Sequence, residues 1–338
     1  MKRPSHADAY QVLLLQAADE GRGPLLFGDS LERARVAVPP FLVGAKFPSL
    51  YLEHPLVGSP FLDVTVLYNH LEPGVRIASD AAADADAMLD WFAGIHDEYP
   101  GMCCGFEIDT KDARLPTAAV HFQPQSHTDL VAPFCEAVGE PERAELYLDL
   151  AVRMPESWQL SFFGMFRGRP GSPLRVCGYL DREEIDACVA NPGHLANRFD
   201  EIGFTAYDDA MLAQVVRFMA VMPSVADFQF DIYPDGSLGS VFAIDAEFSV
   251  SQPDAVIASF TEGPARRIMD LLESWGVADG RWRYSVESAF ARALPVEFDD
   301  GTTGSYAFTL MPHWMKVRWA NGVLQPAKLY HLAKASSL

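Results

Sequence analysis

The feature that most constrains this chain is a rhythm of paired extended runs. Five times, two strand-like stretches lie close together, and a helical stretch precedes the next pair. The first pair covers 49–54 and 61–69, joined by the turn-rich PLVGSP. The second covers 103–110 and 118–123. The third covers 145–154 and 159–167, with a further strand near 174–180. The fourth, 227–233 and 240–250, closes around Asp235-Gly236, and the fifth, 306–319 and 327–332, around Asn321-Gly322. Such dipeptides supply the left-handed backbone of tight hairpins. Met88, Trp91, Phe92 and Ile95 have helical spacing, as do Leu212, Val215, Val216 and Met219, and Ile268, Leu271, Leu272 and Trp275. Weaker helices are predicted over 8–19, 127–138, 182–190 and 284–293. No long linker breaks the pattern, so residues 1–338 read as one domain of five α-β-β repeats, with 1–45 as an N-terminal helix and lead-in.

Each strand has one apolar and one polar face. Phe228, Phe230 and Ile232 oppose Gln229, Asp231 and Tyr233; Phe242, Ile244, Ala246 and Phe248 oppose Ala243, Asp245, Glu247 and Ser249. Leu146, Leu148, Leu150 and Val152 oppose Tyr147, Asp149 and Arg153. Phe106 and Ile108 oppose Glu107 and Asp109, and Leu50 and Leu52 oppose Tyr51 and Glu53. Helices must cover the apolar face, and the polar face must be wet. An open sheet would satisfy this, but about ten strands without edge protection favour closure, because closing a sheet removes its edges. The expected fold is therefore α/β: an antiparallel ten-stranded barrel with helices outside and a polar lumen wide enough for a ligand.

Composition excludes several functions. Forty-six acidic residues against 26 basic ones give a net charge of −20, which argues against nucleic acid and against an anionic membrane surface as partners. No apolar run is long enough for a membrane helix, and MKRPSHADAY lacks the apolar stretch of a signal peptide. Five cysteines without a CxxC read as core residues in a reducing compartment, and a cytoplasmic location is expected. HExxH, GxGxxG, the P-loop and GxSxG are all missing. Among the dispersed histidines, His54 and His121 fall in strands.

Five hairpins separated by helices, with a polar inner face, resemble the ABBA-type prenyltransferase barrel, which includes the fungal indole and the cyanobactin peptide prenyltransferases. The resemblance spans roughly 45–333. SLYLEHP places Glu53 where that family carries a first-strand glutamate. GFEIDTKDARLPTAAVHFQPQ is similar to its second hairpin, with Ala119 and His121 where the family has Lys and Tyr. AKLYHLA matches its Lys-x-Tyr strand at Lys328 and Tyr330. The resemblance implies transfer of an allylic group from a prenyl diphosphate to an aromatic small molecule or a peptide. Glu53 would take the acceptor's proton. Arg153, Arg175, Lys316 and Lys328 would hold the diphosphate, and Tyr147, Tyr179, Tyr233 and Tyr330 would shield the allylic cation. Glu107, Asp109, His121, Asp231, Asp245 and Glu247 would complete the lumen.

The acids of the fourth hairpin, Asp231, Asp245 and Glu247, oppose this scheme unless they are neutralised. Two unit charges about 4 Å apart cost on the order of 4 kcal/mol at an effective dielectric near 20. Either a divalent cation such as Mg²⁺ screens them, or the lumen binds a peptide or other cationic ligand for different acid–base chemistry, or the prenyl chemistry is lost. Lys316 and Arg318 share one face, and Lys328 and Tyr330 another. A plain two-residue Asn-Gly turn sets these faces opposite, and a bulge near Pro326 aligns them.

Overall fold

The structure, a computed structural model, describes residues 22–43, 48–79, 82, 85–111, 117–124, 126–223, 226–248, 252–297 and 301–337. The helix expected over 8–19 lies outside the described residues. Helices α1 (Gly23–Phe27) and α2 (Ser30–Ala37) precede strands β1 (Ser49–Pro55) and β2 (Asp63–Tyr68), and α3 (Ala85–Ile95) precedes β3 (Cys103–Asp109) and β4 (Ala119–Gln123). Helices α4 (Val131–Ala137) and α5 (Glu142–Arg153) lead to β5 (Trp158–Met165) and β6 (Leu174–Leu180). Helices α6 (Arg182–Ala190), α7 (Pro192–Ile202) and α8 (Asp209–Met219) lead to β7 (Ala226–Ile232) and β8 (Leu238–Glu247). The last repeat has α9 (Pro253–Thr261), α10 (Pro264–Ser274) and α11 (Trp282–Glu287), then β9 (Phe290–Glu297), β10 (Thr303–Ala320), β11 (Val323–Leu324) and β12 (Lys328–Ser337).

Strands β1 to β8 pair in sequence, β8 pairs with β10, β10 with β12, and β12 returns to β1, every pairing antiparallel. Ten strands thus close on themselves. The second half of β10 completes the barrel against β8, and its first half pairs with β9 along that same edge, the opposite edge being taken by β12. The outward faces form the core with the helices. Val66, Phe122, Phe163, Val176 and Phe228 are wholly buried, as are Met88 and Phe92 of α3, Val215 and Met219 of α8, and Ile268 and Leu272 of α10. Phe122 stacks on Phe134 of α4, ring centroids 4.2 Å apart.

Two expected elements are corrected. The run 145–154 is a helix, not a strand. Glu142 and Glu145 sit in its first turn and Arg153 in its last, which suits the helix dipole. Arg143, Tyr147 and Leu150 are buried at helical spacing, while Leu148 and Val152, apolar in the alternating pattern, are exposed. The alternation was a chance overlay on a 3.6-residue period. The third hairpin is therefore β5–β6, and the run near 174–180 is one of its two strands. Similarly, the helix expected over 284–293 ends at Glu287, and Phe290–Glu297 is strand β9.

Candidate active site

The polar strand faces enclose a lumen with two connected parts. An outer cavity of about 850 Å³ opens where β1 and β3 end, and an inner cavity of about 100 Å³ lies deeper. Among the described residues, six cationic side chains line the outer cavity: Lys111, Arg169, Arg175, Lys316, Arg318 and Lys328. They face five carboxyl groups, Glu53, Asp63, Glu107, Asp109 and Asp231. Asp63 has its pKa pushed up to about 8 by burial and by the neighbouring charges of Glu53, Asp109 and Glu107, against the pull of Lys328, and so is protonated at neutral pH. Cations therefore outnumber ionised acids at the mouth of a strongly acidic protein.

Glu53 stands at the centre of one cluster. Lys328 donates to its Oε1 and Tyr330 to its Oε2, and Lys316 donates to the Tyr330 hydroxyl. Burial raises the Glu53 pKa, but the charges of Lys328 and Lys316 outweigh it and hold the carboxyl below its usual range. Asp63 lies directly opposite Glu53 across β1–β2. One carboxyl is thus held ionised while burial favours the protonated form of its neighbour. The register that builds this cluster comes from the β10–β12 hairpin. Asn321 and Gly322 take positive φ at the turn. Trp319 then pairs with Leu324 while Lys316 pairs with Lys328, so the returning strand holds one extra residue around Pro326. That bulge aligns Lys316 with Lys328 and Trp314 with Tyr330.

A second cluster holds the arginines. Arg175 grips Asp231 through two bonds of 2.9 and 3.3 Å. Arg169 reaches Glu107 at 2.7 Å and Asp109 at 2.9 Å. Both guanidinium groups lie over the Phe166 ring, at 4.4 and 3.8 Å from its centroid, which fixes them in place. Glu107 also lies 3.3 Å from His121 Nε2; burial raises its pKa, but Arg169 and His121 hold it well below the carboxylate range. Arg318, on β10, is half-buried and has no ion pair among the described residues. Burial, Arg175 and Arg169 lower its pKa against the opposing pull of Glu53 and Asp231.

The inner cavity is aromatic and acidic. Tyr51 stacks on Trp314 with centroids 4.5 Å apart and planes 7° from parallel, and Tyr330, Tyr179 and Phe162 complete the wall. His121 stacks on Phe162 at 5.0 Å. It fits because residue 164 is glycine: a Cβ there would stand 2.8 Å from its ring. Asp227 pairs across β7–β8 with Asp245, which faces Lys316 at 3.8 Å. Burial raises the pKa of both, that of Asp245 to about 6, and that of Glu247 too. Gln229 donates to Asp245 Oδ2 at 2.9 Å, whereas Oδ1 is buried without a hydrogen bond.

Burying the Asp245 carboxyl costs stability when it is ionised. The group has a pKa of about 6 when folded and 3.8 ordinarily, so its contribution to stability is greatest at low pH and is lost as pH rises from about 4 through 6. Asp245→Asn is expected to raise unfolding stability by on the order of 2 kcal/mol at pH 8 and by little at pH 4. Urea unfolding at the two pH values checks this, and a variant less stable at pH 8 would contradict it.

Of the expected site residues, Glu53, Glu107, Asp109, His121, Arg175, Tyr179, Asp231, Asp245, Lys316, Lys328 and Tyr330 line the lumen. Tyr147 and Arg153 do not, because both lie on α5 outside the barrel: Tyr147 packs on Phe163 with centroids 5.0 Å apart, and Arg153 donates to the Ile202 carbonyl. Tyr233 stands at the outer lip, 36% exposed, too open to shield a cation. Glu247 is half-exposed at the inner end of β8, with His313 3.6 Å away. Three lumen residues, Asp227, Tyr51 and Trp314, had no expected role, whereas Asp63, Arg318 and the FRGRPGSPLR turn that carries Arg169 already stood out in the sequence as lumen acid, basic face and anion clamp at a barrel mouth. Period-2 alternation from Glu53, Asp231 and Lys316 reaches Tyr51, Asp227, Arg318 and Trp314, but only the barrel geometry brings Arg169, from a turn, over the lumen.

This closed ten-stranded barrel, ringed by helices with a polar lumen, has the fold of the ABBA-type prenyltransferases. Solved structures with the same fold include 5-dimethylallyltryptophan synthase from Streptomyces coelicolor, at 11% identity and a TM-score of 0.53 over 98% of this chain and 97% of that one. The prenyltransferase PriB matches at 14% identity and 0.56 over 98% and 96%, and AnaPT from Neosartorya fischeri at 10% and 0.51 over 97% and 91%. No protein-family profile and no curated protein match the chain by sequence. No described helix is long and apolar enough to cross a membrane.

Proposed function

We propose that the chain transfers an allylic prenyl group from a prenyl diphosphate to an aromatic small molecule or a peptide side chain. The observation that carries this reading is Arg318, a half-buried cation with no ion pair among the described residues, set beside Arg175 and Arg169 at the mouth of the lumen. Arg169 and Arg175 are already paired with Glu107, Asp109 and Asp231, but Arg318 adds a positive charge beside them, and an incoming anion would offset it. A diphosphate placed there points its allylic carbon toward the inner cavity, where Tyr51, Trp314, Tyr179 and Tyr330 offer π faces to a developing carbocation. The inner cavity is small, about 100 Å³, which suits a short donor. The acceptor's attack on that carbon forms the new bond as diphosphate departs, and Glu53 takes the proton lost from the acceptor. The Streptomyces coelicolor synthase has also been solved with DMASPP and Trp, at 12% identity and a TM-score of 0.51.

A resident Mg²⁺ does not fit this mouth. Glu107 and Asp109 are engaged by Arg169, Asp231 by Arg175 and Glu53 by Lys328, so no open oxygen cage exists among the described residues.

The alternative reading, a cationic or peptide ligand in an acidic lumen, draws support from the unpartnered Oδ1 of Asp245 beside Asp227. It fits a positively charged acceptor as well as a non-prenyl ligand. The test is incubation of purified protein with dimethylallyl or geranyl diphosphate and indolic, phenolic or peptide acceptors, read by mass spectrometry. A prenylated product is expected with the shorter donor, with or without Mg²⁺. No product with any donor overturns the reading. Salt-sensitive binding of basic peptides in its place would favour the alternative.

A further inference from the structure

The end of the barrel opposite the charged mouth carries a separate cavity of about 530 Å³, which shares Tyr51, Leu67 and Gln123 with the inner lumen. On its wall three metal-ligating side chains converge from two segments: His70, just after β2, and His96 and Asp97, just after α3. His96 is buried, and its Nδ1 faces the Phe92 carbonyl at 3.3 Å. A carbonyl only accepts, so Nδ1 donates to it, and in the neutral ring Nε2 presents its lone pair. That lone pair lies 2.6 Å from His70 Nδ1 and 3.2 Å from Asp97 Oδ1, and His70 Nδ1 is 3.9 Å from the same oxygen. His70 Nδ1–H can donate to that lone pair, but Asp97 Oδ1, an acceptor only, then stands 3.2 Å from a ring nitrogen that has no proton for it.

We propose that His70, His96 and Asp97 form a binding site for a divalent transition metal of the zinc type. Two imidazoles and a carboxylate are an ordinary donor set for such an ion. The bond from His96 to the Phe92 carbonyl is the outer contact that fixes a ligating tautomer. Zinc–nitrogen bonds of about 2.0–2.1 Å require the two nitrogens to part by less than about 1 Å. Asp97 is free to follow, its side chain being 86% exposed. Three protein ligands leave a fourth position turned to the cavity, for water or a ligand atom. The sequence hid this site, because His70 and His96 belong to different segments and form no local motif. The other convergent set, Glu184, Cys188 and His194, is already structural: Glu184 accepts from Ser157, Trp158 and Arg198 and lies 3.0 Å from His194 Nε2.

The site does not depend on the prenyl-transfer reading. Full-length protein freed of metal with EDTA is titrated with Zn²⁺ by calorimetry and with Co²⁺ by visible absorption. One equivalent is expected, with tetrahedral Co²⁺ bands. His70→Ala and Asp97→Asn, both outside the core, are each expected to weaken Zn²⁺ binding by about 10-fold or more. His194→Ala is expected to leave it unchanged. Absence of stoichiometric binding overturns the proposal, as does binding unaffected by His70→Ala and Asp97→Asn, or binding lost only in His194→Ala.

Discussion

Glu53→Gln is expected to lower the rate of prenyl transfer by about 10²–10⁴-fold, the range of a positioned proton acceptor, while donor binding is retained. The substitution keeps the shape of the side chain, and glutamine Oε1 still accepts from Tyr330 or Lys328. It removes the negative charge that those two groups and Lys316 hold in place. Lys328 then loses its ion-pair partner, but its side chain is 21% exposed and can turn toward water, so the fold survives. Single-turnover kinetics with thermal unfolding of the same preparation checks this. A variant that turns over within about threefold of the parent would remove Glu53 from the chemistry.

Arg318→Ala has the second large expected effect. Hydrogen bonds to a charged group contribute about 1.5–3 kcal/mol, so the dissociation constant for a prenyl diphosphate should rise by about 10- to 100-fold. The folded protein should be no less stable, because the change relieves crowding with Arg175 and Arg169 and breaks no ion pair among the described residues. Arg318→Lys should recover part of the affinity, keeping the charge without the planar fork. Calorimetric titration with dimethylallyl diphosphate checks both, and unchanged affinity in Arg318→Ala would contradict the proposed anion seat. Arg175→Ala is a poorer probe, since it strands Asp231 in a largely buried position.

Much of this architecture was legible in the sequence because hairpin barrels have strong local signals. The alternation in FQFDIY and VFAIDAEFSV identified the lumen faces of β7 and β8 correctly, and Asp235-Gly236 closed their hairpin. The failure at 145–154 has a definite physical cause. Leucines at every second residue fit a strand, while the buried set of Arg143, Tyr147 and Leu150 shows its helical period only once the surrounding layer is known. That error carried Tyr147 and Arg153 into the expected site. The charge balance of the lumen was also beyond a strand-by-strand reading. The fourth hairpin alone seemed fatal to a diphosphate, but its Asp231 is neutralised by Arg175 from β6, Asp245 faces Lys316 from β10, and Arg169 swings in from the turn before β6. Asp63 could be recognised as a protonated acid only after β1, β2 and β3 had placed it among Glu53 and Asp109.

On the proposed reading a prenyl diphosphate sits with its phosphates among the mouth arginines and its hydrocarbon in the aromatic inner cavity. The most direct measurement is a crystal structure of the protein with a non-reacting thiolodiphosphate analogue of the donor. Phosphate oxygens are expected within hydrogen-bond reach of Arg318 and Arg175, and the allylic chain against Tyr51, Trp314 and Tyr330. Phosphate density bound elsewhere, or a lumen that excludes the analogue at saturating concentration, would contradict it.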